Sequence, residues 1–188
     1  MLKKYRCIHN GYRFGSVADS FNLRYKGLKA NVSLDADDYK EFALAAIEAA
    51  QKAGAAIMDI YSGTPDVRYK ADNSPVTDAD RASEDIVTAA LSRLMPGVPI
   101  IAEERAAAGD IPLAEREFFL VDPLDGTKEF LKHNGEFSVN VALVRDCKAI
   151  FGLIYAPAKA DCYVTLRPGE AFRCELSPIS EGTPSRNL

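Results

Sequence analysis

From Tyr39 to Tyr61 apolar residues recur at helical spacing. Phe42, Ala46, Ala49, Ala53, Ile57 and Ile60 fall along one side of a 3.6-residue winding, in a stretch rich in alanine. Residues 34–38 (LDADD) place acids where a helix start favours negative charge. Ser62-Gly63-Thr64-Pro65 stops the helix. Val67 to Lys70 reads as a short strand and 71–74 as a polar loop. Pro75-Val76-Thr77 leads into a second helix, for which Thr77-x-x-Asp80 has the form of a capping box. Ala82, Ile86, Ala89, Ala90 and Leu94 form its expected buried stripe, and Met95-Pro96-Gly97 ends it.

Beyond that point the period shortens. Val98 to Ala102 is a brief apolar run, a strand carrying Glu103 and Glu104 at its C-terminal end, and 105–117 is a polar, Ala-rich connection. Phe119 begins an apolar strand that ends in Asp122, turns through Pro123 and offers Asp125, after which Gly126-Thr127 can open a helix. Phe137 to Val144 alternates like a strand, Arg145-Asp146-Cys147-Lys148 suits a hairpin turn, and Ala149 to Tyr155 is its partner strand. Ala156-Pro157-Ala158 interrupts it. Cys162 to Leu166 is a further strand before the turn at 167–170, and the last dozen residues have loop composition. Two helices followed by strands, one short helix and a meander predict an α+β fold, a layered α-β sandwich, rather than a strict β-α alternation. There is no internal repeat.

Composition adds little to this picture and excludes some functions. The chain has 188 residues, 47% hydrophobic and 27% charged, enough for one sizeable core. A net charge of −4 gives no reason to expect nucleic-acid binding. The charge is uneven. Residues 1–33 carry Lys3, Lys4, Arg6, Arg13, Arg24, Lys26 and Lys29 against Asp19 alone, a basic extension without the apolar core of a secretory signal, expected to be poorly ordered. No stretch has the apolar length of a membrane span. Cys7, Cys147, Cys162 and Cys174 form no Cys-x-x-Cys pair, and His9 and His133 are the two histidines, so zinc spacing is absent. Such cysteines read as reduced thiols and a cytoplasmic location.

The chemistry concentrates in FLVDPLDGTKEF, residues 119–130. Two carboxylates at i and i+3 across a turn at a strand end can converge on one point, where a hard cation such as Mg²⁺ takes oxygen ligands. Glu103, Asp122 and Asp125 come from two strand ends and can share a metal cluster, and three such acids would not all stay ionised without cations. Gly126 and Thr127 then present backbone N–H groups to a phosphate. Each residue also has a structural reading. Asp125 suits a turn, Asp80 a helix dipole, Thr127 a cap, and Lys70 and His133 a solvated surface.

Four blocks, KADNSPVTDAD (70–80), PIIAEE (99–104), LVDPLDGTKEF (120–130) and NGEFSVNVALV (134–144), resemble the inositol monophosphatase-like, lithium-sensitive, Mg²⁺-dependent phosphatases. Lys128-Glu129-Phe130 followed by Asn134-Gly135-Glu136-Phe137 is similar to the bacterial 3′(2′),5′-bisphosphate nucleotidases within that family. The resemblance covers about residues 40–175. It implies Glu103, Asp122, Asp125 and the Leu124 carbonyl as ligands of two or three Mg²⁺ ions. It implies Asp80 and Thr127, helped by Glu103, as the groups that orient and activate the attacking water. Asp125, Gly126, Thr127 and Lys70 would contact the substrate. The implied reaction converts adenosine 3′,5′-bisphosphate to AMP and phosphate, in nucleotide recycling and sulfur metabolism. An inositol 1-phosphate or sugar phosphatase is the alternative, and a catalytically impaired fragment that binds metal and phosphate another. The implied partners are a small phosphate ester and a second copy of the chain, with no nucleic acid or membrane. Family members continue into a second α/β region with a Trp-Asp-x-Ala-x-Gly motif. This chain has no tryptophan, so it is expected to supply the N-terminal portion of the fold, in residues 34–175, with 176–188 as a tail.

Overall fold

A computed structural model describes residues 36–70, 73–114, 116–167 and 169–176. The expectations for the basic extension at 1–33 and for nearly all of the C-terminal tail lie outside these residues. The first helix, α1, spans Ala36–Tyr61. It buries Phe42, Ala46, Ala49, Ala53 and Ile57 as its periodicity predicts, while Ile60 is only partly covered. Its small residues allow close approach to the sheet. A Cβ added at Gly54 would lie 2.5 Å from the Tyr155 ring.

Two strands follow, β1 (Val67–Tyr69) and β2 (Pro75–Thr77), paired antiparallel with Tyr69 opposite Pro75. Sequence reasoning treats 75–77 only as the lead into a helix. The structure makes it a fully buried strand, and its proline sits at the first position, where a missing N–H does least harm. Helix α2 (Asp78–Leu94) starts with the expected capping box. Thr77 accepts from Ala79 N, and Asp80 Oδ2 accepts from Thr77 N at 2.7 Å. The expected stripe on α2 is displaced by one residue. The buried face is Ala79, Asp80, Ser83, Glu84, Val87, Thr88 and Leu91, and Ala89 is exposed. Four of these seven side chains are polar, so the hydrophobic pattern alone finds only the flank of the buried face, where Ile86 and Leu94 pack partly buried against the core.

Strand β3 (Ile100–Ala102) runs into a short helix, α3 (Glu103–Ala107), so Glu103 and Glu104 open a helical turn rather than extend a strand. Next come β4 (Glu117–Asp125), α4 (Thr127–Leu131), β5 (Ser138–Arg145), β6 (Lys148–Ala156), a 3₁₀ turn at Pro157–Lys159, β7 (Asp161–Arg167) and β8 (Glu170–Glu175). Asp146 and Cys147 take positive φ between β5 and β6, as a two-residue hairpin turn requires. The six strands lie in the order β3-β4-β5-β6-β7-β8. The pair β3 and β4 is parallel and the other pairs are antiparallel. Helices α1 and α2 pack together and cover one face of this sheet. Phe42 joins the layers, stacked on Phe119 at 5.9 Å and edge-on to Phe151 at 4.9 Å. This is the expected α+β layered architecture.

Candidate active site

The parallel pairing of β3 with β4 sets Ala102 opposite Val121. Glu103 and Asp122 therefore leave the sheet side by side at the same end. Strand β4 does not stop at Asp122, as its sequence suggests. It continues to Asp125 through an irregularity in the β4–β5 register between Asp122 and Asp125. Such a bulge tolerates Pro123 within a strand and re-aims the carboxylates on either side of it. Gly126 follows at φ +98°, and a Cβ there would lie 2.7 Å from the Glu136 carbonyl, so only glycine lets β4 turn into α4 at this point.

Helix α2 reaches this end of the sheet with three side chains on one face. Asp80 Oδ1 lies 3.1 Å from Thr127 Oγ1, which is also within donor distance of the Leu124 carbonyl at 3.2 Å. Ser83 Oγ donates to the Pro123 carbonyl at 2.7 Å. Glu84 Oε2 accepts from Glu104 N at 2.8 Å. The helix thus holds both acid-bearing strand ends through one buried and two part-buried hydrogen bonds. Lys70, at the end of the β1–β2 hairpin, is not the solvated lysine of its default reading. It is largely buried and pairs with Glu104 at 2.7 Å and Glu103 at 3.3 Å.

The electrostatics follow from crowding acids in a half-buried corner. Asp122 is pushed up to about 8, first by burial and then by the charges of Glu103 and Asp125. Burial also raises Asp80, against the opposing hydrogen bonds from Thr77 and Thr127, and raises Glu84 and Glu104. Burial pulls the Lys70 ammonium down, but the Glu104 hydrogen bond and the two glutamate charges outweigh it and hold it above its ordinary range.

All the sequence-predicted residues lie at this one end of the fold. Asp80 and Thr127 are in contact, Asp122 is crowded by Glu103 and Asp125, and Lys70 pairs with Glu103. Asp125 is exposed, with its Oδ2 3.4 Å from Asn140 Nδ2. A cavity of about 370 Å³ opens beside Asp125 and Gly126, with Glu136, Ser138 and Lys159 on its wall. Among the described residues no three His, Cys, Asp or Glu side chains are gathered into a metal-holding cluster. The donor set nonetheless suits a hard cation. Asp122 Oδ1 is buried without a hydrogen-bond partner, beside two further carboxylates. Ser83, Glu84 and Glu104 escaped the sequence reading. Ser83 and Glu84 stand three and four positions after Asp80, on the same helical face, and that spacing was the available signal.

A helical pair over a mixed sheet, with acids leaving two adjacent parallel strands beside a bulge, defines an acid-centred α+β domain. The family model for the inositol monophosphatase family matches residues 38–188. The chain belongs to the inositol monophosphatase family. It is 46% identical over 128 residues to the 3′(2′),5′-bisphosphate nucleotidase CysQ of Escherichia coli (strain K12), covering 67% of this chain and 52% of that protein. It is 47% identical over 110 residues to the CysQ nucleotidase of Buchnera aphidicola subsp. Acyrthosiphon pisum, covering 57% and 42%. Among solved structures, CysQ from Bacteroides thetaiotaomicron is 38% identical with a TM-score of 0.57, over 76% of this chain and 52% of that one. The extragenic suppressor protein suhB from Bartonella henselae is 29% identical with a TM-score of 0.61, over 71% and 52%. The chain therefore spans about half the length of the curated relatives it matches.

Proposed function

We propose that the chain carries the metal-binding half of a Mg²⁺-dependent phosphomonoesterase that releases the 3′-phosphate of adenosine 3′,5′-bisphosphate as inorganic phosphate, leaving AMP. The observation that carries this reading is the orphaned, buried Asp122 Oδ1 set between Glu103 and Asp125. A carboxylate so placed is stable either protonated or against a cation. Glu103, Asp122, Asp125 and the Leu124 carbonyl would hold the metal. When bound, Mg²⁺ would lower the pKa of the attacking water and neutralise charge on the phosphoryl oxygens. The chain's own residues do the rest. Thr127 Oγ1, donating to Asp80, keeps its lone pairs free to accept from the attacking water. Asp80, made more basic by burial than a solvated aspartate, takes the proton through that hydroxyl. Gly126 and Thr127 backbone N–H groups would face the phosphate. Lys70 holds Glu103 in place and supplies positive charge at the entrance.

The choice of a nucleotide rests on the CysQ relatives, which are named as 3′(2′),5′-bisphosphate nucleotidases. The competing reading, an inositol phosphatase, is supported by a likeness to the Thermotoga maritima IMPase structure at 25% identity and a TM-score of 0.61. Phosphate release with Mg²⁺ separates the readings. Faster release from adenosine 3′,5′-bisphosphate than from inositol 1-phosphate is expected. Faster release from inositol 1-phosphate would favour the second reading. A folded, Mg²⁺-binding chain that releases phosphate from neither would be the catalytically impaired form.

A further inference from the structure

The last strand pair places two thiols face to face. Cys162 on β7 and Cys174 on β8 are direct partners in the antiparallel register. Side chains opposed in this way leave the same face of the sheet with Cβ atoms about 4.5–5.5 Å apart. Their Cα atoms lie about 4.5 or 5.5 Å apart, depending on the pair type, inside the span a disulfide bridges. The surrounding backbone is tied down on both sides. Leu176 N donates to the Ala160 carbonyl at 2.7 Å, Tyr155 OH donates to the Leu176 carbonyl at 2.9 Å, and Arg173 forks onto Asp161 at 2.7 and 3.0 Å.

The two cysteines are not equivalent. Cys162 is fully buried, and Cys174 is partly buried against the core. The close Cys174 thiol and burial keep the proton on Cys162. Cys174 is thus the less buried of the two and the one an oxidant meets first. Neither thiol takes part in the acid centre.

We propose that Cys162 and Cys174 form a redox-modification site that closes to an intramolecular disulfide when hydrogen peroxide is the oxidant. Cys174 gives its proton to solvent, its thiolate sulfur attacks one peroxide oxygen, the O–O bond breaks, and the leaving hydroxide takes up that released proton as water. Cys174 is then a sulfenic acid. The Cys162 sulfur attacks the Cys174 sulfur, the S–O bond breaks, and the leaving hydroxide takes the Cys162 proton as water. The two thiols lose two electrons and two hydrogens, and the peroxide becomes two waters. Register pairing sets the resolving thiol directly opposite the sulfenic acid, so closure needs only a small local approach of the two strands, which favours it over further oxidation.

The full chain carrying Cys7→Ser and Cys147→Ser tests this directly, because both thiols of the pair stay native. Peroxide treatment should remove both titratable thiols. The monomer should lose the mass of two hydrogens, yield one cross-linked peptide containing Cys162 and Cys174, and revert with dithiothreitol. Adding Cys162→Ser should instead leave Cys174 as a sulfenic acid trapped by dimedone. Persistent thiols, oxygen added to Cys174 in the unsubstituted pair, a disulfide between chains, or equal closure rates in the native and urea-unfolded chain would each overturn the proposal.

Discussion

Ser83 Oγ donates to the carbonyl of Pro123 at 2.7 Å, a buried contact between residues forty apart in sequence. It fastens α2 to the bulged end of β4, directly after Asp122 in the chain. One turn earlier, Asp80 meets Thr127, and one residue later, Glu84 meets the start of α3. Three side chains on one helical face therefore set the spacing of the two acid-bearing strand ends.

Ser83→Ala leaves the Pro123 carbonyl buried and without its donor. The expected loss of stability is about 1–3 kcal/mol, the cost of an unsatisfied buried polar group. Urea unfolding of both proteins measures it. An unchanged midpoint would show that water replaces the hydroxyl and that this tie does not hold the bulge.

Asp80→Asn preserves size and can keep its amide oxygen on Thr77, but it then turns its NH2 rather than an acceptor toward Thr127 and cannot take up a proton. Phosphate release should fall by about 10²-fold or more, as for loss of a general base. The thermal midpoint should change little, because an asparagine can keep the helix-start hydrogen bonds to Thr77. Steady-state kinetics and a melting curve, taken together, separate the catalytic effect from damage to the cap.

Asp122 makes the metal-free protein sensitive to alkali. The folded chain holds its proton up to about 8, while the unfolded chain releases it near the ordinary aspartate value of 3.8. Between those values the native state binds more protons, so stability falls as pH rises, by at most ~1.4 kcal/mol per pH unit from this one group. Unfolding in EDTA from pH 5 to pH 8 should show that slope. Asp122→Asn should flatten it, and Mg²⁺ should raise stability most at the alkaline end. A slope unaffected by Asp122→Asn would assign it to other groups.

Gly126→Ala places a methyl 2.7 Å from the Glu136 carbonyl at a φ of +98°. Left-handed backbone alone costs an L-residue about 1–2 kcal/mol, and the contact with rigid backbone adds to it. The β4–α4 turn should shift, weakening phosphate release more than global stability. Comparing KM and kcat with the urea midpoint checks this. Wild-type kinetics would show that the turn has room to relax.

Much of this molecule is legible locally. The capping box at Thr77 and Asp80, the stop at Ser62-Gly63, the hairpin at Asp146-Cys147 and the Gly126 turn are each decided within a few residues, by hydrogen bonds and dihedral limits that neighbours along the chain impose. The apolar alternation of β5 and the stripe of α1 are legible because each element buries one simple hydrophobic face. The buried side of α2 is not, since it faces the acid centre and carries Asp80, Ser83, Glu84 and Thr88, which a hydrophobic stripe cannot reveal.

By itself, the sequence determined the identity of the acids, the glycine turn that follows them and the order of elements that places them at strand ends. These depend on residue type and on contacts a few positions away. Only the tertiary structure decided that β1 and β2 pair, that β3 lies parallel against β4 so that Glu103 stands beside Asp122, and that Lys70 is drawn in against Glu103 and Glu104. Those relationships join residues far apart in the chain, and they form because layers must close over a shared core before distant charges can meet.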